Sequence, residues 1–341
     1  MIGAFLDRLR HEGPLPFSAF MEAALYDPVG GFYSAGGRAG GRSGDFLTSP
    51  EVGPLFGAVL ARAIDTWWME LGRPDPFVVV DAGAGPGTLA RAVLAARPEV
   101  LEADALRFVA VDRSSSQRES HAALPIESMP NLPVGPFVGA ILANELLDNL
   151  PFRLAVFDGG WREAFVDVDA DGRLVEVLRP FSAVLRVLPA GAAHGARAPV
   201  QAQAAAWVAD ALSRLQAGRL VVIDYTRTTA EMAARPWREW LRTYRAHERG
   251  AHYLSGPGEQ DITADVALDQ LPAPGSVATQ ADFLRSHGLV DLVAEGRRVW
   301  AERAAAPDLA ALTARSRVRE AEALTDPTGL GGFTVAEWVV A

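Results

Sequence analysis

Two hydrophobic rhythms alternate through the middle of this chain. Short, largely apolar runs at 77–80, 107–111, 137–142 and 220–223 are rich in β-branched residues, and each ends on a polar residue: Asp81, Asp112, Asn144-Glu145 and Asp224. Runs of this kind and length are what strands buried on both faces require. Between them the period lengthens. Leu89, Ala92, Val93 and Ala96 make a helix face that stops at Pro98, and residues 207–215 read as a helix closed by Gly218. Strands alternating with helices predict an α/β fold, a doubly wound Rossmann-like sheet with its polar strand ends along one edge.

Other segments depart from that alternation. Residues 1–75 read as N-terminal helices and a Gly-rich loop: Phe17, Phe20, Met21, Ala24 and Leu25 keep the helical period up to Asp27-Pro28, and glycines then crowd residues 30–45. Ser49 and Pro50 suit a helix start, with Leu55, Val59, Ala63 and Trp67 as its buried stripe. Within a catalytic domain at 76–341, residues 152–180 predict an added antiparallel ribbon turning at Asp158-Gly159-Gly160 and at 169–172. That ribbon serves either as an edge cover or as a homodimer contact. Residues 228–275 predict a helical insertion, a lid, in which 231–250 carry Trp237, Trp240 and Tyr244 at helical spacing. A polar loop at 256–266 precedes a short helix. Helices at 279–287 and 296–322 lead to a last strand at 333–340.

Composition narrows the chemistry. Cysteine is absent and all 32 basic residues are arginine, which removes thiolate nucleophiles, Cys-ligated metals, a Schiff-base lysine and a P-loop lysine. None of the six histidines falls at a metal-ligand spacing, so no metal is expected. A net charge of −10 argues against nucleic acid as a partner. No apolar stretch is long enough to span a bilayer, and the first residues lack the pattern of a secretory signal, which predicts a cytoplasmic protein.

The most informative run is Val78-Val79-Val80-Asp81-Ala82-Gly83-Ala84-Gly85-Pro86-Gly87-Thr88. A strand feeds a glycine turn that opens onto a helix, so the backbone can approach a ligand closely and offer N–H groups at the helix start. A dinucleotide fingerprint would want glycine or alanine where Thr88 stands. The acid at 81, two before the first glycine, suits a cationic ligand rather than a pyrophosphate. Asp112 ends the next strand, where a carboxylate accepts hydrogen bonds from both ribose hydroxyls. Together Asp81, Gly83, Gly85, Gly87, Thr88 and Asp112 predict a site for S-adenosyl-L-methionine, with NAD as the remote alternative. Ser128 and Met129, at the third strand end, are candidates for the base pocket.

The order of motifs resembles the MidA family of class I S-adenosylmethionine-dependent methyltransferases. The resemblance is carried by Gly31-Phe32-Tyr33, Gly44-Asp45-Phe46-Leu47-Thr48-Ser49-Pro50-Glu51, the Asp81 glycine turn and Ala143-Asn144-Glu145-Leu146-Leu147-Asp148-Asn149-Leu150-Pro151. Two later runs, 257–266 and 278–284, complete it. Leu146-Leu147 replaces the family's usual aromatic pair, Asp81 its usual glutamate, and basic residues near the chain end are missing. The resemblance implies methyl transfer to an arginine of a protein substrate, as in mitochondrial members needed for respiratory complex I assembly.

A displacement at a sulfonium methyl needs nucleophile and methyl held in line, water excluded and, for a guanidinium, a proton acceptor. Glu145 and Asp148 are the candidate carboxylate pair, with Asn144 orienting the substrate or the cofactor's amino group. Asp45 is a third catalytic candidate, and Glu51 and Tyr33 are weaker ones. Glu259, Asp261 and Asp265 read as a solvated loop or an acidic rim for an Arg-bearing partner. Two further readings stay open: a small-molecule O- or N-methyltransferase, and a cofactor-binding assembly chaperone with little turnover.

Overall fold

The computed structural model of the chain describes residues 3–34, 48–182, 185–245 and 248–341. After α1 (Gly3–Glu12), α2 (Phe17–Tyr26), α3 (Ser49–Val52) and α4 (Pro54–Glu70), the alternating segment forms β1 (Phe77–Ala82), α5 (Thr88–Ala96), β2 (Leu106–Val111), β3 (Glu127–Met129) and β4 (Phe137–Asn144). The ribbon follows as β5 (Arg153–Phe157), β6 (Trp161–Val168) and β7 (Leu174–Pro180), then β8 (Arg197–Val200), α6 (Ala202–Ser213) and β9 (Leu215–Asp224). Beyond these lie β10 (Leu241–Arg245), β11 (Asp261–Ala264), β12 (Ser276–Thr279), α7 (Gln280–Ser286), α8 (Leu289–Arg303), α9 (Leu309–Thr325) and β13 (Thr334–Val340).

The main sheet has seven strands in the order β3-β2-β1-β4-β9-β13-β12. β3 through β9 are parallel, and β13 runs antiparallel to both its neighbours. That antiparallel strand separates it from the six-stranded dinucleotide order. Both faces are covered, which is why β1 is buried at every residue. Phe77 and Val79 pack toward α4 and α5, while Val78 and Val80 pack toward α6. The chain winds outward from β1 to β3 in one direction and from β4 to β9 in the other. A crevice therefore opens beyond the C-terminal ends of β1 and β4, the switch point at which such sheets place their ligands.

A second layer is built from the ribbon. β5, β6 and β7 form the expected meander, extended on one side by Leu15–Pro16 and on the other by β8. Phe17, Phe20 and Met21 of α2 pack with Phe152, Leu154 and Val166 of the ribbon and with Trp240 and Ile262. Helices α1 and α2 thus belong to the ribbon's core, whereas α4 covers the main sheet.

Four sequence expectations are corrected here. The insertion at 228–275 is mostly strand and turn rather than helix: β10 pairs with β11 and with Glu248–Arg249 after one short helix, Thr229–Ala233. Pro236 has no N–H to continue that helix, and beyond it Leu241 and Thr243 alternate inward with period two. The segment 256–266 is a turn only as far as 260; it then enters β11, and the short helix after it is a single 3-10 turn, Leu268–Gln270. Gly218 does not close α6, which ends at Ser213; it lies inside β9, with φ +138, beside a register shift between Leu215 and Ala217. The predicted helix at 296–322 is two helices, divided around Pro307 and restarted by Asp308, whose side chain accepts the Ala311 N–H at 2.8 Å.

A Cβ on Gly218 would sit 1.7 Å from the Gly139 carbonyl oxygen. Gly218→Ala should therefore part β9 from β4 and lower unfolding free energy by about 3 kcal/mol or more. Denaturant titration of the two proteins measures it.

Candidate active site

A cavity of about 990 Å³ lies over the crevice. Its floor is the glycine turn. Gly83, Gly85 and Gly87 hold φ of +76, +52 and +79, and at Gly85 the space a Cβ would fill is open, so the backbone faces a ligand directly. Two groups brace the turn. Asp112 accepts the Gly85 N–H through Oδ2 at 2.9 Å and the Ser114 N–H through Oδ1 at 2.8 Å. Buried His121 places Nε2 2.7 Å from the Gly85 carbonyl and Nδ1 2.8 Å from the Ser128 hydroxyl. Because a carbonyl only accepts, Nε2 carries the proton and Nδ1 accepts from Ser128. Thr88 opens α5 on the same wall.

Asp81 is buried at the end of β1, lines the cavity, and leaves Oδ2 without a hydrogen-bond partner. Burial, with Asp112 adding repulsion, pushes its carboxyl up to about 7. Burial also raises Asp112, against the N–H groups of Ser114 and Gly85 and the charge of Arg118.

At the end of β4 stand Asn144 and Glu145, both on the cavity wall. Glu145 has φ +50, a left-handed conformation that costs a non-glycine residue energy. Its N–H is tied to the Ile223 carbonyl at 2.9 Å. Both its carboxylate oxygens are held: Tyr225 donates to Oε2 at 2.9 Å and Asn144 Nδ2 to Oε1 at 3.2 Å, and the Ser49 amide also favours the anion. Burial first and Asp148 second push Glu145 up to about 8. Asn144 Oδ1 has no partner.

Asp148 stands elsewhere. It is buried behind the wall, accepting from the Thr263 hydroxyl, and is absent from the cavity lining; Asn149 and Leu150 take its place there. Burial lifts Asp148 to about 6. Its turn is held from below by Asp224, whose Oδ2 accepts the Leu147 and Asp148 N–H groups at 3.0 and 3.3 Å. The predicted pair therefore separates into one carboxylate at the cavity and one behind it.

Opposite, the wall comes from α2 and the following loop. Tyr26 and Tyr33 stack at 5.7 Å, and the Tyr33 hydroxyl lies 2.9 Å from Asp261 and 3.1 Å from Asn149. Arg113 lies 4.6 Å above the Tyr26 ring and pairs with Glu22 at 2.7 Å. Glu51 lines the cavity and caps α3 by accepting the Thr48 N–H at 3.1 Å. At the far end, Pro130, Asn131 and Leu132 line the cavity with Trp207, whereas Ser128 and Met129 do not. Those two lie on β3 itself, and the chain reaches the cavity only as it leaves the strand. The acidic-rim candidates are not a rim. Asp261 and Asp265 are buried, the latter between Arg227 and Arg242 at 2.7 Å each, and only Glu259 is exposed, paired with Arg245. Asp45 lies outside the described residues. Among the described residues no cluster of His, Asp or Glu is arranged to hold a metal, and no helix is long and apolar enough to cross a membrane.

A family profile described as "Putative S-adenosyl-L-methionine-dependent methyltransferase" matches residues 59–289, more than half of the chain. The chain belongs to this family. The methyltransferase is also similar to two solved structures from Burkholderia thailandensis. One, bound to S-adenosyl-homocysteine, is 28% identical with a TM-score of 0.82, covering 99% of this chain and 91% of that one. The other, a native crystal structure, is 27% identical with a TM-score of 0.80 over the same shares. The curated mitochondrial protein arginine methyltransferase NDUFAF7 of Homo sapiens is 26% identical, over 85% of this chain and 73% of its own length. The homologue in Drosophila melanogaster is 28% identical over 74% of this chain, and the match spans 65% of its length.

S-adenosylmethionine is thus the cofactor, and the cavity suits it. The unpartnered Asp81 oxygen is an acceptor awaiting a cation, such as the cofactor's ammonium. Asp112 keeps lone pairs for ribose hydroxyls, and Trp207 with Leu132 offers an apolar slot of the kind an adenine fills.

Asp81 should make opposite contributions with and without cofactor. In the free folded protein it keeps its proton up to about pH 7, whereas the unfolded chain releases it near 3.8, so stability falls as pH rises through that window. Asp81→Asn should raise the melting temperature of the cofactor-free protein by a few degrees at pH 8. It should also weaken S-adenosylmethionine binding roughly 10- to 100-fold. Melting curves and calorimetric titration read both signs.

Proposed function

We propose that this methyltransferase acts on a nitrogen of an arginine side chain in a protein, with Glu145 as the group that receives the guanidinium and its proton. The observation that carries the reading is the Glu145 carboxyl itself, held on the cavity wall by donors from β4, the end of β9 and the start of α3. When bound, the cofactor supplies an electrophilic methyl group. A guanidinium is a poor nucleophile until a base localises its charge and takes a proton as the new bond forms. A carboxylate's strength as a base rises with its pKa. Burial makes Glu145 a stronger one, lifted to about 8, and an arriving guanidinium favours its ionised form. Asn144 offers an unpartnered carbonyl oxygen beside it for a second N–H. The names of the NDUFAF7 relatives support the acceptor class. In the same reading Asp81, the turn at Gly83, Gly85 and Gly87, Thr88 and Asp112 hold the cofactor.

Incubation with methyl-labelled S-adenosylmethionine and cell extract should label a protein band whose acid hydrolysate contains methylarginine. Glu145→Gln should reduce that labelling at least about 100-fold while S-adenosylhomocysteine affinity stays within a few-fold. Label confined to small molecules would replace the protein acceptor by a small one. Undiminished labelling by the variant would remove Glu145 from the chemistry. For the unaltered enzyme, kcat/KM should rise with pH up to about 8, as the Glu145 carboxylate forms.

A further inference from the structure

We propose that Tyr225 is a positioning residue for the transfer: its phenol holds the Glu145 carboxyl toward the cavity, and the Arg242 guanidinium against its ring strengthens that hold. The inference rests on the reading of Glu145 given above and extends it to side chains that never reach the cavity.

Tyr225 follows Asp224 at the end of β9, and its own N–H is fixed by the Asp224 carboxylate at 2.9 Å. Its ring packs against Phe333 with centroids 4.2 Å apart, and the Arg242 guanidinium carbon lies 4.9 Å from the ring centre. Tyr225 is absent from the cavity lining, so its hydroxyl reaches Glu145 from behind and acts on the reaction only through it. A phenylalanine would serve equally for packing. The hydroxyl matters because it is one of three donors on a carboxyl set in a left-handed backbone, where the side chain's aim depends on such contacts. Arg242 is itself mostly buried on β10, with Nη2 2.7 Å from Asp265 and Nη1 donating to the Glu239 carbonyl at 2.9 Å. A cation at an aromatic ring draws electron density from it, which makes the phenol a better donor.

The charged and titratable groups around Glu145 can be placed element by element. Asp148 on the following turn and Asp224 at the end of β9 repel its charge, whereas Tyr225, Asn144 and the Ser49 amide favour it. Arg242 acts across the Tyr225 ring, with Asp265 as its counter-ion. Glu51 and Asp81 line the same cavity, and Tyr33 holds Asp261 on the far side of Asn149. Tyr225 is thus one of the few donors facing a set of acids. Removing its hydroxyl should make Glu145 bind its proton about 10-fold more tightly, one unit in midpoint.

The test follows the Glu145 carboxyl by ¹³C NMR in glutamate-labelled protein, its resonance assigned as the one missing from Glu145→Gln. In Tyr225→Phe the midpoint should rise by about one unit, and the acidic limb of kcat/KM for protein labelling should rise with it. S-adenosylhomocysteine affinity should stay within about twofold, as the cofactor's end of the cavity is untouched. Replacing the five tyrosines by 3-fluorotyrosine, a more acidic phenol, leaves the shape of the fold and should move the midpoint the other way. An unmoved midpoint in both proteins overturns the proposal. A midpoint that moves while the activity limb stays put upholds the hold on Glu145 and overturns its part in proton transfer, so the two failures are distinct.

Discussion

Too many acids and too few cations meet at one edge of this sheet, and the rest of the structure is arranged around that imbalance. Asp81, Glu145, Asp148, Asp224 and Asp261 all lie buried or walled in near the ends of β1, β4, β9 and β11, and among the described residues no arginine makes an ion pair with any of them. Isolated buried carboxylates are costly. The protein reduces that cost differently at each one. Asp224 spends its oxygens on three backbone N–H groups, Asp148 accepts from Thr263, and Asp261 from Tyr33 and Asn149. Asp81 and Asp148 each keep one oxygen with no hydrogen-bond partner, and of the two only Asp81 lines the cavity.

The fold makes this concentration unavoidable. Parallel strands deliver their C-terminal residues to the same edge, and the change of winding direction between β1 and β4 leaves the crevice there uncovered by helices. The ribbon, α2 and the insertion then close the space from the other side, with the Tyr26–Tyr33 stack as their contribution to the wall. Burial rather than proximity is the leading cause of every raised carboxyl at the site. A cationic cofactor suits such a place.

The sheet and the cofactor edge were legible in the sequence because both depend on local signals: largely apolar runs, a glycine turn and an acid at each strand end. The ribbon was legible from its turn residues. The insertion was not, because Trp237, Trp240 and Tyr244 happen to fit a helical period while Pro236 and the inward pair Leu241 and Thr243 decide for strand. Gly218 looked like a helix stop because close passage of β9 over Gly139 is a tertiary event. The same holds at the site. Sequence spacing put Asp148 beside Glu145, but the turn between them carries Asp148 behind the wall. His121 and Tyr225 gave no signal, since each acts on a residue dozens of positions away, and Ser128 was assigned to the base pocket when its partner is His121.

Asp81 waits, partly protonated, for the charge of the cofactor. Calorimetric titration of S-adenosylmethionine at pH 7, repeated in buffers of different ionisation enthalpy, counts the protons exchanged on binding. Binding should release about half a proton per cofactor, as Asp81 moves from about 7 to well below it, with a clear drop in that count for Asp81→Asn. A heat of binding independent of buffer, or proton release unchanged in the variant, would contradict it.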